Sequence, residues 1–365
     1  MDNGSGWPLR TFTPPTSPTH MRIGILHEHP EWFLPLFGAL NRRGIEYVRI
    51  DGAALRWDPT ERPEYDLLVN RMSPSAYLRG HAHAIFATTA YLQHVESWDV
   101  PVVNGSAQWR LEISKSAQLD LFDALGVPCP RSRVINHASQ AVAAADRLRY
   151  PIVVKPNIGG SGARIQRFDT PQALESMVAA GTLDLGIDRT ALVQEFLPAA
   201  GGSITRLELL DGHLLYAIRI TPPEDHGFNL CPADICQAPD RISEDATLTA
   251  AGTDSSTAVQ GMCAVKPSMQ IEAADAPDEL VRLARRLARR AGLDVCGIEY
   301  LVDARDGRPS FYDVNALSNF VTDAPRIVGF DPFDRFVDYL ESRLSGLSAV
   351  GGADRLARRG RHEQG

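Results

Sequence analysis

Cys296-Gly297-Ile298-Glu299-Tyr300-Leu301-Val302-Asp303 and Ser310-Phe311-Tyr312-Asp313-Val314, the latter running on into Asn315, are strand-like stretches joined by the turn Asp303-Ala304-Arg305-Asp306-Gly307-Arg308. They read as a β-hairpin. Residues two apart on a strand share a face, so Asp313 and Asn315 point the same way, and Glu299 on the preceding strand can join them. Three oxygen donors on rigid strands, with water and phosphate oxygens completing an octahedron, suit Mg²⁺. An Asn in place of a third acid limits the negative charge beside a triphosphate. The competing reading is a row of solvent-facing polar residues on an edge strand. The flanks Gly297-Ile298 and Phe311-Tyr312 read as buried and weigh against it.

Upstream, Lys155 ends a Val- and Ile-rich strand and is followed by Pro156-Asn157-Ile158-Gly159-Gly160-Ser161-Gly162. Glycines let backbone amides approach phosphate oxygens, so a strand, glycine loop, strand unit can fold over a triphosphate. A Walker loop would open a helix and end in Lys-Ser or Lys-Thr, which this one does not. By itself the loop reads equally as a plain hairpin turn. Val193-Gln194-Glu195-Phe196-Leu197 then sets a carboxamide and a carboxylate beside apolar side chains, a combination that can line an adenine slot or form a half-exposed strand end.

The remaining chain supplies the frame. From 21 to 104 short apolar runs alternate with helical stretches (23–27, a helix over 34–43, 47–50, 67–70, a helix over 82–96, 102–104), which implies parallel strands in a wound α/β unit. A helix over 113–125 carries Lys115 and stops at Gly126-Val127-Pro128. Strands at 151–156, 164–168, 192–197, 204–210 and 214–220 then suggest antiparallel pairs, with Asp211-Gly212 as a hairpin turn. Residues 221–276 show no periodicity and read as a long loop; a last helix covers 332–344, and 351–365 reads as a polar tail. Asn70-Arg71 closes a strand of the first unit, where open α/β sheets bind ligands, so Arg71 can hold a substrate carboxylate there or be a turn residue without a role.

Bulk properties narrow the classes. At 365 residues the chain affords about two to three domains. No apolar run approaches the roughly 18 residues that span a bilayer, and residues 1–20 are rich in Pro, Thr and Gly without a signal-like stretch. A net charge of −8 argues against nucleic-acid partners. The basic run 282–290 has Leu280, Leu283, Ala284, Leu287, Ala288 and Ala291 at helical spacing, so Arg282, Arg285, Arg286, Arg289 and Arg290 form a solvated face. Five cysteines at irregular spacings favour a reducing compartment, with the cytoplasm as the expected location. Cys231, Cys236 and Cys263 with His226 match no usual zinc spacing.

As a set, these residues resemble the ATP-grasp superfamily, and within it the branch of the ribosomal-protein glutamate ligases, glutathione synthetase and the lysine-biosynthesis carboxylate–amine ligases. The resemblance covers 21–344. It implies an α/β and α+β chain: a Rossmann-like N-terminal (pre-ATP-grasp) domain followed by a two-subdomain ATP-grasp fold. On that plan 1–20 is a disordered tail, 21–110 the first domain, 111–197 and 198–346 the two subdomains with 221–276 irregular, and 347–365 a flexible tail. It further implies that Lys115 and Lys155 contact ATP phosphates beneath Gly159, Gly160, Ser161 and Gly162, and that Gln194, Glu195, Phe196 and Leu197 hold adenine. Glu299, Asp313 and Asn315 would carry two magnesium ions, with manganese as an accepted substitute. Gly202-Ser203-Ile204-Thr205-Arg206 is similar to the family strand that presents an arginine to the acyl phosphate, Arg219 to a second arginine, and Asn229 to an asparagine near the transferred phosphate. Two departures stand out: the family usually has Glu where Asp313 stands and Asp where Glu299 stands, and Cys231-Pro232-Ala233-Asp234-Ile235-Cys236 replaces a basic, glycine-containing continuation after Asn229.

The implied activity joins a small carboxylate, an amino acid or peptide, to an amine through an acyl phosphate, without nucleic acid or membrane; a homo-oligomer is compatible with the sequence. Lys155 would neutralise charge on the transferred phosphoryl group, and Arg206 or Arg219 would grip the acyl phosphate, with a surface ion pair the other reading of Arg219. The rival classes are a non-catalytic ATP-binding regulatory protein of the same fold and an ATP-grasp carboxylase or phosphotransferase.

Overall fold

Ile23, Ile25, Leu67 and Val69 are fully buried, as expected of strands inside a sheet covered on both faces. The structure, a computed structural model, describes residues 21–160, 162–223 and 269–362. The expected tail 1–20, Ser161, Asn229, and the set of His226, Cys231, Cys236 and Cys263 lie outside the described residues. β1 (Ile23–His27), α1 (Leu34–Arg42), β2 (Tyr47–Asp51), β3 (Leu67–Arg71), α2 (Ala82–Ser97) and β4 (Val102–Val103) build a parallel sheet of order β2-β1-β3-β4. Its order reverses between β1 and β3, so the crevice beyond their carboxyl ends is the natural ligand edge.

α3 (Ser106–Glu112) and α4 (Lys115–Ala124) follow. The helix expected over 113–125 is α4, which starts two residues later because Ser114 leaves helical geometry and caps it by accepting from the Ala117 N–H at 3.3 Å; α3 before it lies outside that expectation. Lys115 becomes the first residue of α4. β5 (Ser132–Ile135), α5 (Ala141–Ala145), β6 (Ile152–Pro156), β7 (Gln166–Phe168), α6 (Pro171–Ala179) and β8 (Ala191–Glu195) form an antiparallel sheet of order β5-β8-β6-β7. Ile152, Val154, Ala191 and Val193 pack one face against Ala141 and Leu174 of α5 and α6. Lys155 and Gln194 therefore occupy the other face.

β9 (Ile204–Leu210), β10 (His213–Thr221), β11 (Gln270–Ala273), α7 (Asp278–Ala291), β12 (Val295–Val302) and β13 (Pro309–Asn315) form a second antiparallel sheet of order β11-β10-β9-β12-β13. Asp211 and Gly212 both take positive φ, 51° and 69°, as the tightest hairpins require. β11 lies inside the stretch expected to be irregular: Gln270–Ala273 pairs with β10, whose open edge it covers. α8 (Ala324–Val328) and α9 (Pro332–His362) complete the described chain; the helix passes the expected end at 344, and most of the expected tail prolongs it. No helix among the described residues is long and apolar enough to cross a membrane.

The hairpin β12–β13 contains one irregularity that matters. Tyr300 pairs with Phe311 and Glu299 with Asp313, leaving Tyr312 as an extra residue. In a regular strand Phe311 and Asp313 would share a face. The bulge separates them, sending Phe311 into the core with Tyr300 and Ile298 while Asp313 stands opposite Glu299 on the other face.

Leu280, Ala284, Leu287 and Ala288 of α7 close that same core against Leu207, Leu209 and Ile298, and Arg282, Arg286, Arg289 and Arg290 face outward as their spacing predicts. Leu287 is fully buried, so Leu287→Ala should cost ~2–5 kcal/mol in urea unfolding, whereas Arg290→Ala should change it by less than about 0.5 kcal/mol.

Candidate active site

A cavity of about 160 Å³ opens where the two antiparallel sheets meet the carboxyl edge of the parallel one. Lys115 reaches it from the first turn of α4, Lys155 from the end of β6, Arg206 from β9, and Glu299, Asp313 and Asn315 from β12 and β13. Gly159, Gly160 and Gly162 line it together with Trp32, Ser73 and Ser75. The glycines are needed sterically: a Cβ on Gly160 would lie 2.8 Å from the Ser75 Cβ, and one on Gly297 would collide with the Arg206 guanidinium.

The charges in this cavity are interlocked. Lys115 Nζ donates to Asp313 Oδ1 at 2.5 Å. Burial disfavours the ammonium of Lys115, but Asp313 outweighs it and holds the lysine pKa above its ordinary value. Burial likewise pushes the Asp313 carboxyl up; Lys115 and Lys155 together reverse this and keep it below the usual range. Glu299 moves the other way, raised by burial and by Asp313 although Arg206 Nη1 donates to its Oε1 at 2.8 Å. Arg206 also donates to Glu208 at 2.6 Å and to the Ser318 hydroxyl at 3.1 Å. Lys155 has no carboxylate within ion-pair distance among the described residues, and burial followed by the repulsion of Lys115 lowers its pKa to about 8.

Several expected site residues lie elsewhere. Arg219 is directly opposite Thr205, on the face of the sheet away from Arg206; it is half exposed and paired with Glu272 at 3.1 Å. It does not enter the cavity. Arg71 shares the β3 face of Leu67 and Val69, which packs on α1 and α9, so its side chain is buried between the rings of Phe33 and Phe336 at 5.3 and 5.6 Å. Its guanidinium donates to the Ser318 carbonyl and, at 3.3 Å, to Asn319 Oδ1. Asn70 is also internal, donating to the Asn104 carbonyl at 3.2 Å and accepting from the Met72 N–H at 3.1 Å. Neither lines the cavity.

Gln194, Glu195, Phe196 and Leu197 also stand outside its lining. Gln194 is on the same sheet face as Lys155, but its amide donates to Ser132 Oγ at 2.8 Å. Glu195 accepts from the Arg149 N–H at 3.0 Å and pairs with Arg131 at 3.6 Å, and Phe196 lies under Arg167 at 4.5 Å. The cavity holds residues for which the sequence offered no signal. Glu112, the last residue of α3, accepts from the Ala316 N–H and from the Leu317 N–H at 3.2 Å. Burial, reinforced by Asp313, raises its pKa to about 7. Ser73 and Ser75 belong to a stretch that had no pattern beyond a turn.

The donor set fits magnesium shared with a phosphate. Among the described residues no group of three His, Cys, Asp or Glu could enclose a metal ion, so a closed zinc-type site is not formed there. Two carboxylates and one amide on a single sheet face, with lysines beside them, instead match a hard cation that takes its remaining ligands from water and phosphate oxygens.

No protein-family model matches the chain. Its sequence is 27% identical to a "Probable alpha-L-glutamate ligase" of Teredinibacter turnerae over 216 residues, 54% of this chain and 67% of that protein. It is 28% identical to a "D-alanine--D-alanine ligase" of Haemophilus influenzae over 183 residues, 44% of this chain and 58% of that one. Among solved structures, D-cycloserine synthetase DcsG superposes with a TM-score of 0.63 at 18% identity, covering 88% of this chain and 99% of the other. At that identity the likeness speaks for the fold.

The lowered pKa of Lys155 has a measurable sign. At pH 8 the free protein holds this lysine about half protonated, and phosphate oxygens favour the charged form, so binding of a non-hydrolysable ATP analogue should take up roughly half a proton. Calorimetry in buffers of different ionisation enthalpy measures that uptake, and Lys155→Met should remove it.

Proposed function

Since the chain belongs to the ATP-grasp superfamily, on its alpha-L-glutamate-ligase-like side, we propose that it is an ATP- and magnesium-dependent carboxylate–amine ligase that forms an amide or peptide bond through an acyl phosphate. One observation carries the reading: Lys115, Lys155 and Arg206 meet Glu299, Asp313 and Asn315 in a single cavity beneath a glycine loop. Cations for phosphate and oxygen donors for a divalent ion are the parts that phosphoryl transfer to a carboxylate needs, because that chemistry is mainly positioning and charge stabilisation.

In this reading the acid substrate's carboxylate oxygen bonds to the γ-phosphorus of ATP and the bond to the ADP oxygen breaks. The amine then adds to the acyl carbon, loses its proton and expels inorganic phosphate. Glu299, Asp313 and Asn315 would hold magnesium, which would neutralise charge on the phosphate oxygens. Lys155, which has no carboxylate partner among the described residues, is available to the transferred phosphoryl group, while Lys115 exchanges part of its bond to Asp313 for phosphate. Arg206 faces the cavity already held by Glu208 and Glu299, so its guanidinium is fixed in place before substrate arrives and can stabilise the tetrahedral oxyanion. Arg219 and Arg71 are given no such part.

The names of the relatives point to amino acids or short peptides as the acid and the amine. Phosphate release from ATP and Mg²⁺ in the presence of an amino-acid and dipeptide panel tests this directly, with an acceptor-dependent rise expected. ATP binding with no acceptor-dependent release would favour a nucleotide-binding regulatory protein, and bicarbonate-dependent release a carboxylase. The double variant Asp313→Ala, Asn315→Ala should lower magnesium-dependent turnover by at least about 10³-fold with circular dichroism unchanged. Retained turnover would move the metal elsewhere.

A further inference from the structure

β13 is the edge strand of its sheet, yet the backbone between its two candidate metal ligands is not open. Val314 lies between Asp313 and Asn315, and its N–H and C=O both meet the side-chain amide of Gln118 from α4. Val314 N donates to Gln118 Oε1 at 3.1 Å, and Gln118 Nε2 donates to the Val314 carbonyl at 2.8 Å. A carboxamide thus does what the peptide group of a neighbouring strand would do. Gln118 is itself only 2% exposed and is fixed by a further bond from Nε2 to the Leu111 carbonyl at 3.1 Å. Two residues further along the chain, Glu112 takes the N–H groups of Ala316 and Leu317 on one carboxylate oxygen. Both helices that precede Lys115 or carry it therefore hold the end of β13 by side chains.

We propose that Gln118 and Glu112 are positioning residues for the divalent-cation ligands, fixing the backbone between and just beyond Asp313 and Asn315. This rests on the reading of Asp313 and Asn315 as those ligands. An edge strand without a neighbour can twist and shift, and magnesium demands near-octahedral ligands at about 2.0–2.1 Å, so small displacements of that backbone reach the metal. Lys115 is carried on the same helix as Gln118, one turn earlier. The clasp therefore ties the strand that carries the metal ligands to a helix already anchored elsewhere.

Mn²⁺ binding in the presence of a non-hydrolysable ATP analogue, followed by the electron paramagnetic resonance of free Mn²⁺, tests the assignment without turnover. Gln118→Met keeps volume and removes both bonds to Val314. It should weaken Mn²⁺ about tenfold or more while the metal-free affinity for the analogue stays within about twofold. Glu112→Ala should weaken Mn²⁺ by about tenfold, and Glu112→Gln, which retains an oxygen acceptor, by no more than about threefold. The proposal is overturned if Gln118→Met and Glu112→Ala bind Mn²⁺ like the wild type. It is overturned equally if both affinities fall by the same factor, as general loosening would produce. Should Gln118→Met not fold, the contrast between Glu112→Ala and Glu112→Gln decides, and identical Mn²⁺ affinities in the two overturn it. Wild-type protein that binds no Mn²⁺ with the analogue would sink the underlying metal reading instead, before any variant is compared.

Discussion

The ammonium of Lys115 meets the carboxylate of Asp313 at 2.5 Å across the gap between a helix start and an edge strand. Around this pair the protein buries Lys155, Arg206, Glu112, Glu208 and Glu299, each of which would cost several kcal/mol if left uncompensated. The arrangement holds because nearly every charge has an opposite neighbour: Arg206 with Glu208 and Glu299, Asp313 with Lys115, Glu112 with two backbone amides. Among the described residues Lys155 is the exception, with no carboxylate at ion-pair distance, and burial followed by the repulsion of Lys115 lowers its pKa. A lysine left without a close carboxylate beside a glycine loop is a group that an anionic guest can pair with.

Much of this was legible in the sequence, and the limits have identifiable causes. The β1 to β4 alternation, the Asp211-Gly212 hairpin and the outward arginines of α7 follow from period and turn chemistry, and the structure has them. Lys155, Glu299, Asp313 and Asn315 stood out by residue type and spacing, Lys115 and Arg206 through the family resemblance, and all six reach one cavity. Arg219 came from the same resemblance and Arg71 from its place at a strand end, but the face a side chain takes depends on which neighbours cover it. β10 turns Arg219 away from Arg206, and β3 turns Arg71 toward α1 and α9.

The bulge at Tyr312 shows the same limit more sharply. Alternation along 309–315 would put Phe311, Asp313 and Asn315 on one face, so a buried phenylalanine and two metal ligands seem to compete for it. One extra residue resolves the conflict, and no local signal marks where it sits. Gln118 and Glu112 were invisible for another reason. They act through backbone groups 196 and 204 positions away in sequence, and only the folded chain brings these together.

Gly160 resting on Ser75 joins the nucleotide side of the cavity to the edge of the parallel sheet. The glycine loop and the parallel sheet are thereby held at backbone distance, so a bulkier side chain on either side, at position 160 or at position 75, would be felt directly by the other.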